Sequence, residues 1–326
     1  MSLIPSITPD VALGGALALL SLLTYGACTV LISVGMRNMR SEPGSLLAAA
    51  AGVPTGLLIS SFLLAFGEVG AGISTWAVVA FALAGILSTY LGRWLVFKSI
   101  ELIGPSAASA LQSTSPLLTA FFAWVLLGEM ISWMGILGIT LAILGMVSMS
   151  LGLHRRATGS PAAIGALPGG RTRRANAMVW GALLLGIASS AAYSSSHIFR
   201  GSAVRIWNEP VLGTTIGAAA GLLALLLANR KKLPDYRREI LANRQGAVLF
   251  AGIGVLQFLA QSLVIASMKY IPVSVAALIS MCTPLVVMPI SYFVMRNQEK
   301  LNGVMVLGIL ITLSGTAISL VFAGAH

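Results

Sequence analysis

No aspartate or glutamate interrupts any of the ten apolar stretches that occupy most of this 326-residue chain. Most of those stretches are close to the roughly 20 residues a helix needs to cross a ~30 Å hydrocarbon layer. In lipid, backbone N–H and C=O groups must be satisfied within the segment, so such stretches form helices rather than open strands. A water-soluble fold needs a solvated face. With 57% hydrophobic and 9% charged residues the chain lacks the polar material for one, since soluble domains carry about a quarter charged residues. The expectation is an all-α membrane protein with ten transmembrane helices, near 11–35, 45–66, 75–98, 105–127, 131–152, 178–199, 210–228, 247–268, 272–295 and 303–323.

These helices fall into two sets. Residues 90–129 contain YLGRWLVFKSIELIGPSAASALQSTSPLL, and the pattern returns 168 residues later as FLAQSLVIASMKYIPVSVAALISMCTPLV. In that alignment Leu91 faces Leu259, Ser99 faces Ser267, Ser106 faces Ser274, Ser115 faces Thr283 and Pro116 faces Pro284. Glu42-Pro43 recurs as Glu209-Pro210, and Glu129, Gly138 and Gly145 recur as Glu299, Gly308 and Gly315. The seven-residue glycine step puts both glycines on one helix face, which permits close backbone approach. The reading is two five-helix repeats, 1–153 and 178–326, joined by a polar basic linker at 154–177. An odd number of spans per repeat inverts the second relative to the first, an architecture suited to alternating access around a midplane site.

The net charge of +11 does not point to nucleic acid, because the cations sit between membrane spans. Sixteen of the 20 Lys and Arg residues fall in the loops after spans 1, 3, 5, 7 and 9, and three, Arg200, Arg205 and Lys269, fall on the other side. The positive-inside rule then puts both long linkers in the cytoplasm and both termini outside, in the cytoplasmic membrane. The linker after span 7 holds a candidate short interfacial helix, Tyr236 to Asn243. Cys28 and Cys282 lie within apolar stretches, so no disulfide framework is indicated. The opening residues MSLIPSITPD lack the basic region of a cleavable signal. His154, His197 and His326 are scattered, and no metal spacing, nucleophile elbow or phosphate loop is present, so no cofactor, metal or enzymatic activity is expected.

Candidate binding residues are the polar groups inside the spans. Arg93 is costly in a bilayer unless paired or hydrated. It either faces a central cavity and holds an anionic group, or snorkels to the interface. Its repeat counterpart is Gln261. Gln112 and Ser115 precede Pro116, and Thr283 precedes Pro284. Each proline removes a backbone donor and kinks its helix, leaving carbonyls for hydroxyls, water or substrate. Small hydroxyl residues also serve plain helix packing. Tyr25 and Tyr193 occupy matching positions in spans 1 and 6, and Tyr90 lies one turn before Arg93. Such rings suit an amphipathic organic substrate or an interfacial anchor. Trp94, Gln257 and Ser194 to Ser196 are secondary candidates. Glu129 and Glu299 are expected at the membrane surface, where the dipole of the following helix favours them.

The signature TSPLL…LLGE…G…LG and its echo CTPLV…E…G…SG resemble the drug/metabolite transporter superfamily, in particular its ten-span EamA-like family. The resemblance spans essentially all ten helices. It implies two fused repeats, export of small organic solutes such as amino acids, metabolites or toxic compounds, and both termini in the cytoplasm. The cation count implies the reverse orientation. Span 1 lacks the acidic residue on which related four-span multidrug carriers depend. The expected function is a secondary transporter with a small-molecule substrate and a lipid bilayer as its partners. The alternatives are a flippase for a lipid-linked intermediate and a non-transporting membrane scaffold. The pattern fits a monomer and a homodimer equally.

Overall fold

The computed structural model describes residues 8–66, 72–96, 98–99, 112, 114–130, 132–157, 173–283, 285–287 and 303–322, and every regular element among them is helical. In the first half these are α1 (Pro9–Gly35), α2 (Ser41–Ala65), α3 (Thr75–Val96), α4 (Ser115–Leu127) and α5 (Trp133–Ala157). The second half has α6 (Arg173–Ile206), α7 (Pro210–Ala228), the short polar α8 (Leu233–Ala242), α9 (Arg244–Ser267), α10 (Val273–Met281) and α11 (Gly303–Val321). Among the described residues α1, α2, α3, α7 and α9 are long and apolar enough to cross a membrane, and α4, α5, α10 and α11 supply shorter apolar stretches.

Local chemistry sets the ends. Thr8 caps α1 by accepting from the Val11 N–H, and Pro9 fills a first-turn position where its missing donor costs nothing. Asn243 caps α9 through the Gly246 N–H at 2.9 Å. Gly128 ends α4 with a left-handed φ of 66°. Span 6 runs further than its sequence expectation: α6 continues to Ile206 rather than ending near 199, so Arg200 and Arg205 belong to a helix and not to a loop. Pro116 lies in the first turn of α4, just after the turn at Thr114. Pro284 and Glu299 lie outside the described residues.

Helix contacts are symmetric under exchange of the halves. α1 packs on α9 as α6 packs on α3, α1 on α10 as α6 on α4, and α2 on α9 as α7 on α3. The remaining large contacts pair equivalent helices: α2 with α7, α4 with α10, and α5 with α11. The α5–α11 seam is built on the predicted glycines. A Cβ on Gly138 would lie 2.6 Å from the Gly315 carbonyl oxygen, and one on Gly145 would lie 2.7 Å from that of Gly308. The outer surface is apolar, with Leu57, Leu58, Phe62, Phe121, Trp124 and Leu137 exposed, as a lipid-facing perimeter requires.

The cation-rich end is tied across the halves by α8. Tyr236 donates to a Glu42 carboxylate oxygen at 2.6 Å, Arg40 pairs with Glu239 at 2.5 Å, and Asn243 donates to the Asn38 carbonyl. The Arg40 hydrogen bonds hold the Glu239 carboxyl below the usual carboxylate range. Burial raises the Tyr236 hydroxyl.

Candidate functional site

α1, α2, α3, α6, α7 and α9 enclose a cavity of about 220 Å³, lined by Tyr25, Ser88, Thr89, Arg93, Tyr193, Arg200, Thr214, Gln257 and Gln261 together with Phe258 and small residues. A second cavity of about 370 Å³ extends toward α4 and α10, past Gln112, Pro116, His197, Ser280 and Thr283. Tyr25, Ser88, Tyr193, Arg200 and Gln261 belong to both walls and so form a septum between them. A third cavity of about 320 Å³ sits at the cation-rich end, bounded by Glu42, Tyr90, Trp94, Lys98, Lys232 and Tyr236. Arg93 stands in the wall of this vestibule and of the central cavity.

The septum repeats the duplication at the level of single groups. The Tyr25 hydroxyl donates to Gln261 Oε1 at 2.9 Å. Under the 168-residue offset these two residues correspond to Tyr193 and Arg93, which line the same cavity. Arg200 breaks the symmetry, because the offset maps it onto Ile32. The residue is 7% exposed, and its guanidinium donates to Ser88 Oγ at 2.7 Å and to Ser196 Oγ at 3.4 Å. Neither cavity that it lines has a carboxylate among its lining residues. Gln261 Nε2 and His197 Nδ1 are buried without a partner among the described residues. α3 winds as a wide π-helical turn from Ile86 to Gly92. That turn carries Ser88 and Thr89 on the cavity wall and leads directly into Arg93, and such turns recur at functional sites because they re-aim side chains.

At the other end of the bundle Glu129 ties α4 to α10 and to α6. α7, roughly 28 Å long at 1.5 Å per residue, runs from this end to the vestibule. Glu129 follows the α4 glycine and accepts from the Val273 N–H at 2.8 Å, the Ser274 N–H at 3.4 Å and the Ser274 hydroxyl at 3.2 Å. It also pairs with Arg205 at 2.5 Å. The sequence expectation of a surface charge at the start of the next helix is therefore corrected. Glu129 is buried and caps α10, a helix of the other half, because the sharp turn at Gly128 aims it there.

The EamA-like transporter family matches residues 12–151 and again residues 180–321. The chain belongs to the EamA-like transporter family. It is a multi-pass membrane transporter of small solutes. Comparison with curated proteins gives no match. A solved crystal structure superposes on 98% of this EamA-like chain and 98% of its own length, with a TM-score of 0.68 at 18% identity, which is a likeness of fold.

Within this EamA-like fold the candidate residues separate. Arg93, Tyr25, Tyr193 and Gln261 line the central cavity, as does the secondary candidate Gln257. Gln112 and Thr283 line the second cavity, and Tyr90 lines the vestibule. Gln112 also donates to Ser189 at 2.9 Å. Ser115 lies in the contact between α4 and α6. It is 1% exposed, its Oγ is 3.1 Å from Ser194 Oγ and 3.3 Å from the Ser190 carbonyl, and it serves packing rather than the cavity wall. Arg200 was missed as a cavity residue because its flanks, Phe199 and Gly201, resemble a span end. Tyr193, His197 and Arg200 at steps of four and three lie on one helix face, and that spacing was the available signal.

Proposed function

We propose that the protein is a ten-span secondary transporter of the cytoplasmic membrane that exports small organic solutes by alternating access between two inverted five-helix repeats, 1–153 and 178–326. The observation that carries this reading is a cavity lined in part by polar side chains deep in an apolar bundle, walled by equivalent helices of both halves. Polar groups at membrane depth are expensive and mark solute paths. The exchange symmetry of the helix contacts supplies what alternating access needs: one site between two elements that can swap roles.

Direction follows from the ends. Cation-rich loops favour the cytoplasm, and the vestibule at that end reaches the central cavity at Arg93. The opposite end is held by Glu129 and Arg205. A cytoplasmic solute therefore meets Arg93 first, and release requires the Glu129 cap to part while the vestibule closes. Arg93 acts as the reader at the mouth, and Tyr25, Tyr193 and Gln261 complete the site.

The test is flux of a solute panel in proteoliposomes with purified protein, alongside growth rescue under solute stress. Arg93→Gln is expected to abolish transport while the protein remains folded and extractable from membrane. Unchanged flux in that variant would remove Arg93 from the mechanism, and absence of flux for every solute tested would remove transport.

A further inference from the structure

Among the cations of this chain, Arg200 is unusual in having a buried guanidinium with only neutral partners. Ser88 and Ser196 take hydrogen bonds from it, and Tyr25 and Tyr193 stand beside it. A guanidinium remains protonated in any protein environment. Burying it without a counter-charge costs several kcal/mol, and hydroxyl dipoles offset only part of that. Ion pairs elsewhere in the chain, Arg40 with Glu239 and Arg205 with Glu129, show that cations here meet carboxylates where one is in reach. Among the described residues neither cavity that Arg200 lines has an Asp or Glu, and no Asp or Glu lies inside an apolar stretch of the sequence. Arg93 adds a second cation to the same cavity.

The cavity is thus rich in donors and positive in charge. Gln261 Nε2 has no protein acceptor among the described residues, and the Arg200 guanidinium donates to two neutral serine hydroxyls. From this we infer that the transported solute is a small net anion whose carboxylate is the missing counter-charge of Arg200. This deepens the transporter reading and rests on it. The planar guanidinium fork matches two carboxylate oxygens. A zwitterion would place its ammonium in a space that holds two guanidinium groups and no carboxylate. A cation would meet both of them unscreened. The central cavity, of about 220 Å³, suits small organic acids, being below the range of about 300–1,000 Å³ for drug-sized pockets.

The experiment uses purified full-length protein and six probes: lactate and succinate, their neutral amides lactamide and succinamide, the zwitterion alanine and the cation choline. Thermal stabilisation in detergent reads binding, and counterflow in proteoliposomes reads transport. Carboxylates at millimolar concentration are expected to raise the melting temperature and to move, and the matching amides are expected to do neither. Arg200→Gln is expected to weaken carboxylate half-saturation by about tenfold, the effect of losing one charge-assisted contact. Arg200→Lys, which keeps the charge, is expected to retain the preference for carboxylate and supplies a folded comparison should the glutamine variant not assemble. Preferential movement of alanine, choline or the amides overturns the anion inference while leaving transport standing. Carboxylate binding without flux overturns transport and leaves the anion site. No stabilisation by either carboxylate overturns the inference.

Discussion

Glu129 sits where three helices of both halves meet. Its two oxygens satisfy the first N–H groups of α10 and hold Arg205 of α6. Glu129→Gln keeps the shape and one acceptor but removes the charge. The expected cost is about 1–3 kcal/mol, most of it from the buried cap. The Arg205 share is discounted because that side chain is 38% exposed. Thermal unfolding in detergent measures the cost. A cysteine at Tyr270 in the variant is expected to label faster, because the contact of α4 with α10 loosens. Equal labelling in variant and parent would show that the cap does not hold that contact. A residue reading of the sequence found Arg93, Tyr25, Tyr193 and Gln261, since polar side chains inside apolar runs stand out. It missed Arg200 and the capping role of Glu129. Both depend on where a helix stops and on which distant backbone it meets, and neither is a property of local composition.

Among the helices, close approach is set by glycine. A Cβ on Gly85 of α3 would lie 1.9 Å from the Gly217 carbonyl oxygen of α7, so Gly85→Ala forces two backbones apart. Gly252 of α9 has nothing within 4 Å of its built Cβ. Gly85→Ala is expected to cost about 1–3 kcal/mol and to shift the protein toward aggregates on size exclusion. Gly252→Ala should be neutral or stabilising by about 0.5–1 kcal/mol. α8 offers a test in pH. Glu239 has its folded pKa depressed by Arg40, so its contribution is present above the ordinary carboxylate value of about 4.3 and is lost as pH falls through the lowered value. Hydrogen exchange of 233–242 should be protected near neutral pH, loosen in acid, and loosen also with salt, since the pair is exposed. A short helix in the basic linker was legible, expected at Tyr236 to Asn243 and found at Leu233–Ala242. The π-helical turn at Ile86–Gly92 was not, because nothing in an apolar run distinguishes five-residue from four-residue hydrogen bonding.

At the scale of the whole molecule the duplication told most, and it did so through pairs such as Glu42-Pro43 with Glu209-Pro210 that survive at a constant offset. Which helix of one half meets which of the other could not be read from it, since lipid-facing and partner-facing faces are equally apolar. Relocating Arg200 from loop to helix sharpens the charge asymmetry and so the expected orientation. Cysteine introduced at Ser160 is expected to resist impermeant thiol reagents in intact cells, and labelling there would reverse the topology. The glycine seam between α5 and α11 has a consequence for biogenesis. α11 leaves the ribosome well after α5, and among the described residues it is what covers the bare backbone that Gly138 and Gly145 present. Until it arrives, α5 waits in lipid with a groove too narrow for most side chains to fill. A nascent chain cut short before Gly303 would carry that groove unfilled, a mark by which membrane quality control can tell an unfinished molecule from a complete one.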